Sequence, residues 1–249
     1  NHGSEVEIDA WGENFDEFCS AVSKGPKMSV IDSVEVLPIE GSAPSDFSIL
    51  PSQDGARTGF VPADIATCEH CLEDVLNPES RYFGYWATSC TDCGPRYSVI
   101  HTVPYDRERT AMQDFPKCDA CEADYTNPEN RRHHAQTIAC ADCGPKLFLL
   151  DGEGNEVSGD PIEETAKLLD EGEILAIRGI GGFHIACVES AAVKLKQVLG
   201  RPNQSLAVMM LEETMKEYVV APSDADRKLL TGPVHPIVIL DKLDPTSHP

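Results

Sequence analysis

Eight of the chain's ten cysteines fall between residues 68 and 143 in four C-x-x-C pairs, and this pattern constrains the fold more than any other feature. The pairs are Cys68-Glu-His-Cys71, Cys90-Thr-Asp-Cys93, Cys118-Asp-Ala-Cys121 and Cys140-Ala-Asp-Cys143. Eighteen residues separate Cys71 from Cys90, and eighteen again separate Cys121 from Cys140. The second box repeats the first at an offset of 50 residues, and the repeat runs beyond the cysteines. Asn77-Pro78-Glu79 recurs as Asn127-Pro128-Glu129, Arg81 as Arg131, and Asp92-Cys93-Gly94-Pro95 as Asp142-Cys143-Gly144-Pro145. A unit has been duplicated.

The chemistry that asks for this spacing is tetrahedral zinc. Two thiolates two residues apart on a tight turn face one cation, and a second pair completes four sulfur ligands. Glycine after the last cysteine of each box suits a turn with positive φ and lets backbone amides point at sulfur. A disulfide framework would need an oxidising compartment, and the sequence shows neither a signal peptide nor a long apolar run. A dithiol catalyst is not built from four matched pairs. The expected ligand sets are therefore Cys68, Cys71, Cys90, Cys93 and Cys118, Cys121, Cys140, Cys143, with one Zn2+ in each.

Charge narrows the partners. Forty-two acidic residues against 20 basic ones give a formal net charge of −22. Phosphate-backbone binding needs a basic face, so a nucleic-acid role is disfavoured. Each four-thiolate zinc site adds further negative charge. With no spanning segment in view, the expected location is the cytoplasm and no membrane partner is expected.

Outside the boxes the pattern alternates between helix and strand signals. Residues 1–40 read as strand, helix, strand: Glu5-Val6-Glu7-Ile8 alternates, Phe15, Phe18, Cys19 and Val22 mark one helical face, and 29–38 alternates again. Asn14 with Glu17 predicts a capping box, and Lys24-Gly25-Pro26 a helix stop. A β-α-β piece of this size is too small to bury its faces alone, which predicts the end of a larger domain. Residues 41–61 read as a linker carrying one short apolar stretch, Phe47–Leu50. Tyr97–Val103 has strand character. After residue 160 the sequence predicts a helix over 162–171, a buried strand at 174–177, a helix at 190–199, strands at 206–210 and 236–240, and a helix over 211–219. This half, too, reads as an incomplete sheet.

Gly179-Ile-Gly181-Gly182-Phe183-His184 is a glycine-rich turn placed after a predicted strand, where a ligand can approach the backbone. It matches neither G-x-G-x-x-G nor a P-loop, and a plain tight turn is the simpler reading. His184 reads as a ligand-contacting or a hydrogen-bonded structural imidazole. His133 and His134 lie inside the second box, but four cysteines already saturate that site. Cys19 and Cys187 stand outside the repeat and are expected to be buried apolar thiols.

The order of these parts resembles the HypF family, the carbamoyltransferases of [NiFe]-hydrogenase maturation. The resemblance rests on the duplicated boxes with Cys-Gly-Pro endings, Tyr105-Asp106-Arg107, and Arg178-Gly-Ile-Gly-Gly-Phe-His-Ile-Ala-Cys187. It implies an α+β multidomain chain: the end of an acylphosphatase-like, ferredoxin-like domain (1–40), a linker (41–61), a tandem zinc-finger module (62–150) and the start of a YrdC-like α/β domain (160–249). The family implies carbamoyl phosphate and ATP with Mg2+ as substrates, carbamoyl adenylate as product, and transfer to a C-terminal cysteine of the partner HypE. By the same resemblance Asn1 matches the catalytic asparagine of acylphosphatases, in a strand reading Asn1-His-Gly-Ser-Glu-Val-Glu-Ile8. Arg178, Gly181, Gly182, Phe183 and His184 match the carbamoyl pocket. The family's basic phosphate-binding stretch aligns with residues 198–205, where Arg201 keeps the charge, with Lys196 just before it. A stretch so depleted predicts weak nucleotide binding. The alternative to an enzyme is a non-catalytic, zinc-stapled scaffold or partner-binding module.

Because a duplicated unit carries a complete site, anomalous scattering should find two ions, each about 2.3 Å from the four sulfurs of one contiguous box. An ion joining Cys68 and Cys71 to Cys140 and Cys143 would show a crossed arrangement instead.

Overall fold

In the computed structural model the residues described are 6–25, 31–50 and 61–244. They form a mixed α and β chain that divides into two units, Asn1–Cys143 and Gly144–Pro249.

In the first unit, helix α1 (Phe15–Lys24) forms where the apolar spacing predicts it. Its stop is as expected: Gly25 adopts φ 64°, and its N–H donates to the Ala21 carbonyl. The capping box is not formed, since the Asn14 side chain makes no capping bond. No residue of α1 is buried. The alternating segments on either side form no strand among the described residues, and Val6, Ile8, Val36 and Leu37 are exposed. Phe47–Leu50 likewise makes no strand. Alternation records a preference for a half-buried surface, but a strand exists only where a neighbour accepts its backbone hydrogen bonds. Cys19 is half-buried rather than fully buried.

The cysteine module holds most of the buried residues of this unit. Helices α2 (Glu69–Leu76) and α3 (Asp119–Thr126) are equivalent in the repeat, eight residues each, with Cys68 and Cys118 as their N-cap residues. Between the boxes run two 3₁₀ turns, Arg107–Arg109 and Ala111–Asp114. The strand expected at Tyr97–Val103 is reduced to one antiparallel bridge, Ile100 with Thr110, because the intervening chain turns too tightly for a ladder. One cluster joins Tyr82, Tyr85, Met112, Cys121, Ala135, Ile138, Ala139 and Cys140, so it draws on both boxes and on the segment between them. A smaller one gathers Cys71, Cys90 and Cys93 with Ile65.

In the second unit, α4 (Pro161–Asp170) starts at Asp160, whose carboxylate accepts from the amides of Ile162 and Glu163, with proline in the first turn. Strands β1 (Leu175–Arg178) and β2 (Phe183–Ala186) pair antiparallel, Leu175 opposite Ala186 and Arg178 opposite Phe183. The strand expected to be buried is thus one arm of an exposed hairpin: only Leu175 in β1 is even partly covered. A 3₁₀ turn (Glu189–Ala191) leads into α5 (Ala192–Val198), which buries Ala192 and Leu195. Helices α6 (Glu212–Met215) and α7 (Asp224–Leu230) follow; α7 carries a capping box between Ser223 and Asp226. Helix α6 is shorter than the predicted 211–219. The segments 206–210 and 236–240 are not strands, and Met209 and Ile239 are almost fully exposed. Their apolar side chains satisfy the pattern for a strand, but no ladder holds them among the described residues. Cys187 is half-buried.

Gly94 shows what the module demands of its backbone. It sits at φ 97°, exchanges both backbone hydrogen bonds with Ile65, and a Cβ there would stand 2.6 Å from Ser89 Cβ. Its amide therefore serves a bridge rather than a sulfur. Gly84, at φ 66°, has open space around its Cβ direction, and its repeat equivalent His134 adopts φ 56° with a full side chain. Gly94→Ala should therefore cost about 3 kcal/mol of stability, and Gly84→Ala about 1 kcal/mol. Denaturant titration of the zinc-loaded protein checks both.

Candidate metal centres and the glycine hairpin

Each box places its sulfurs by the same local device. The first cysteine is the N-cap of an eight-residue helix and the second lies three residues on, in the first turn, so both face the same side. A helix N-terminus also favours the thiolate over the thiol. The second pair comes from an irregular turn that folds back onto that helix start.

The result is two compact groups, Cys68, Cys71, Cys90, Cys93 and Cys118, Cys121, Cys140, Cys143, with all four sulfurs of a group within 4.8 Å of one another. Boxes are contiguous, not crossed. The fit to zinc is close. A tetrahedron with about 2.3 Å bonds has sulfurs about 3.8 Å apart. Here Cys68–Cys90 is 3.7 Å, Cys90–Cys93 3.8 Å, Cys118–Cys140 3.7 Å, Cys140–Cys143 3.9 Å and Cys121–Cys143 3.6 Å. None of the ten cysteines is in a disulfide. Crowding by Cys90 and Cys93, with burial, pushes the Cys71 thiol up, and burial with Cys143 pushes Cys121 up. In the first group the Cys71 and Cys93 thiols push Cys90 down, so one sulfur ionises readily and its neighbours resist following it, a resistance that a divalent metal among them relieves.

Around the sulfurs stand arginines, and they come from across the repeat. Arg131 of the second box donates to Cys71 Sγ at 3.0 Å and to the His70 carbonyl at 3.1 Å, and pairs with Asp74. Arg81 of the first box donates to Cys121 Sγ at 3.5 Å and to the Ala120 carbonyl at 3.4 Å, and pairs with Asp124 at 2.5 Å. Between them the equivalent residues Tyr82 and Arg132 stack, guanidinium over ring at 3.8 Å. Arg132 is buried and pairs with Asp74; the Tyr82 hydroxyl donates to Asp124 at 3.0 Å. Burial would raise the Asp74 carboxyl, but Arg132 and Arg131 outweigh it and hold the group below its ordinary value.

Other backbone groups near the sites are tied down by Arg96 and Arg107. Arg96 donates to the carbonyls of Cys93, Pro95 and Thr91. Arg107 donates to Gln136, Ile138 and Phe115 carbonyls, which explains why Tyr105-Asp106-Arg107 lies between the boxes. Sequence reasoning noted the Arg81/Arg131 repeat but missed the exchange. The offset of 50 was the available signal, since an arginine repeated with a ligand set has a task tied to that set. His133 and His134 belong to neither group of sulfurs; their rings meet edge to face, and His134 packs on Tyr125.

The hairpin gathers part of the second expected site. The Gly179 amide donates to the Gly182 carbonyl at 2.8 Å, closing the turn that carries Gly181 and Gly182. The Arg178 guanidinium lies 5.8 Å from the Phe183 ring centre, across the β1–β2 pair. Phe183 and His184 are exposed, and His184 stands near Gly179. Arg201 lies past the end of α5, exposed, its amide donating to the Lys196 carbonyl. Asn1 lies outside the described residues. No helix among the described residues is long and apolar enough to cross a membrane.

Known proteins match this arrangement in order. The HypF finger family model matches residues 67–100 and 118–150, and the Sua5/YciO/YrdC model, described as telomere recombination, matches 167–248. A Methanocaldococcus jannaschii protein named "Probable carbamoyltransferase HypF" is 45% identical over 97% of this chain and 33% of its own length. The carbamoyltransferase HypF of Rhizobium leguminosarum bv. viciae is 41% identical over 96% of this chain and 31% of its own. Thus the chain spans about a third of the length of the curated relatives it matches. A crystal structure of full-length HypF in a phosphate- and nucleotide-bound form superposes with TM-score 0.86 at 37% identity, covering 94% of this chain and 31% of that one. HypF of T. kodakarensis superposes with TM-score 0.72 at 39% identity, over 77% and 26% respectively.

Four of the six largest fully buried side chains among the described residues are cysteines of the boxes, so the ligand sets occupy the most deeply buried positions of the module. Stripping zinc should unfold residues 62–146 and spare those after 160. Amide exchange with and without a strong chelator reads this directly, and equal protection in both would show that the module folds without metal.

Proposed function

The chain belongs to the HypF family of carbamoyltransferases, and on that premise we propose that it supplies the zinc-stapled middle of a carbamoyl-transfer enzyme. The observation that supports this most is colinearity. Two finger matches and a YrdC-type match follow one another in a single chain that superposes on a HypF structure over 94% of its length. In this reading residues 1–40 close an acylphosphatase-like domain, 41–61 link it to the fingers at 62–150, and 160–249 open the YrdC-like domain.

The reaction has three steps. Water cleaves carbamoyl phosphate to carbamate and phosphate, with Asn1 orienting the water. Carbamate oxygen then attacks the ATP α-phosphorus, giving carbamoyl adenylate and pyrophosphate, with Mg2+ screening the phosphates. A C-terminal thiolate of a HypE-like partner finally displaces AMP and becomes the thiocarbamate. The chain's own share of the second step is the hairpin. Arg178 and His184 offer cationic and imidazole donors, while the backbone at Gly181 and Gly182 allows close approach beside Phe183. Arg201 is the charge left to meet the triphosphate. The relative crystallised with phosphate and nucleotide supports this assignment by likeness.

The scaffold reading draws on the exposure of the hairpin and on the chain's charge of −22, which repels anionic ligands. Two measurements separate the readings. A chimera in which this chain replaces the matching third of the Rhizobium relative should catalyse carbamoyl-phosphate-dependent ATP–pyrophosphate exchange, and Arg178→Ala or His184→Ala should abolish it. Exchange untouched by both substitutions would leave the chain a scaffold. Calorimetry with ATP and magnesium should give a Kd above about 1 mM. Tighter binding, lost on changing Arg201 or His184, would show a working pocket in this chain.

A further inference from the structure

We infer that the two cysteine boxes load metal as one coupled unit, because each box's sulfurs are held by an arginine that the other box supplies. The inference rests on zinc as the ligand of the boxes and is independent of carbamoyl transfer.

The exchange is reciprocal position by position. Arg131 reaches Cys71, His70 and Asp74; Arg81 reaches Cys121, Ala120 and Asp124, each set related to the other by the 50-residue offset. Metal turns four thiols into thiolates, and a nearby guanidinium offsets the negative charge that remains. Arg131 lies between the two cysteine pairs of its own box. When zinc fills the first box it fixes Cys71 and the start of its helix, to which Arg131 donates at Cys71 Sγ and the His70 carbonyl, and with Arg131 the segment that delivers Cys140 and Cys143. That segment is fastened further by Thr91 donating to the Arg131 carbonyl at 3.1 Å and by Arg132 donating to the Ser89 carbonyl at 3.1 Å. Filling the second box fixes Arg81 through Cys121 in the same way. Coupling of this kind is reciprocal by thermodynamic necessity.

The exchange is also unequal. Cys71 receives the shorter contact, 3.0 Å from Arg131 with Arg132 at 3.9 Å, whereas both terminal nitrogens of Arg81 stand 3.5 Å from Cys121. Losing Arg131 should therefore weaken the first box more than losing Arg81 weakens the second, with affinity falling by about 10- to 100-fold in the weakened box.

Native mass spectrometry of the metal-free chain titrated with zinc is the test. Coupled filling keeps the one-zinc form well below its statistical share at half saturation. Statistical filling overturns the proposal, and failure to take up two zinc ions overturns the zinc reading itself. The unmodified chain thus decides the coupling even if a variant fails to fold. Arg131→Gln should accumulate a one-zinc form whose free, alkylatable thiols are Cys68, Cys71, Cys90 and Cys93. Arg81→Gln should expose the other four, and Arg131→Lys should fall between Arg131→Gln and the unmodified chain. The opposite occupancy, each variant losing metal from its own box, would show that the arginines serve their own fingers and overturn the crossed assignment.

Discussion

Four sulfurs within 4.8 Å of one another form an arrangement that repels itself once ionised, and the rest of the finger module is organised to make it tolerable. Helix N-termini meet one cysteine pair of each box, and guanidinium groups meet the interior sulfurs. Burial raises the stakes, because in a low-dielectric interior an uncompensated charge costs far more than on the surface. Cys71, Cys93 and Cys121 are fully buried, so their charge must be balanced within the fold. The cysteine pattern is thus inseparable from the arginines around it.

Duplication supplied an economical solution. Two like units facing each other can exchange one residue apiece, as subunits of a symmetric dimer do, so one repeated arginine serves both sites. The likeness breaks where the axis passes, since one residue cannot satisfy both sides there. Tyr82 and Arg132 occupy equivalent positions and stack on one another, each reaching an aspartate of the opposite helix. Two arginines at that point would repel, whereas a ring and a guanidinium attract. The repeat also diverges at Gly84 and His134, which share a left-handed backbone but only one of which carries a side chain.

What could be read from the sequence follows the range of the interactions involved. The ligand sets were fully legible, because metal coordination dictates residue type and spacing together. Helices α1, α4 and α5 were legible from apolar periodicity. Strand segments were not. Residues 206–210 and 236–240 carry the composition of strands, yet a strand is a relation between two segments and no local pattern specifies the partner. The hairpin shows the same limit: Ile174–Ile177 read as buried because it is apolar, while its actual neighbour, β2, leaves both faces open. The exchanged arginines were half legible. Their repetition was visible, but the crossing depends on how the two units face each other.

The segment between the boxes has a mechanical meaning. Thr110 is fully buried, Met112 nearly so, and Arg107 grips three carbonyls that lie beyond its own turn. A connector built into the interior cannot serve as a pivot, since bending there would open the cluster that Met112 shares with both fingers. The pair of fingers therefore behaves as a single strut of fixed length. The two metal sites are thereby kept in one fixed geometry relative to each other.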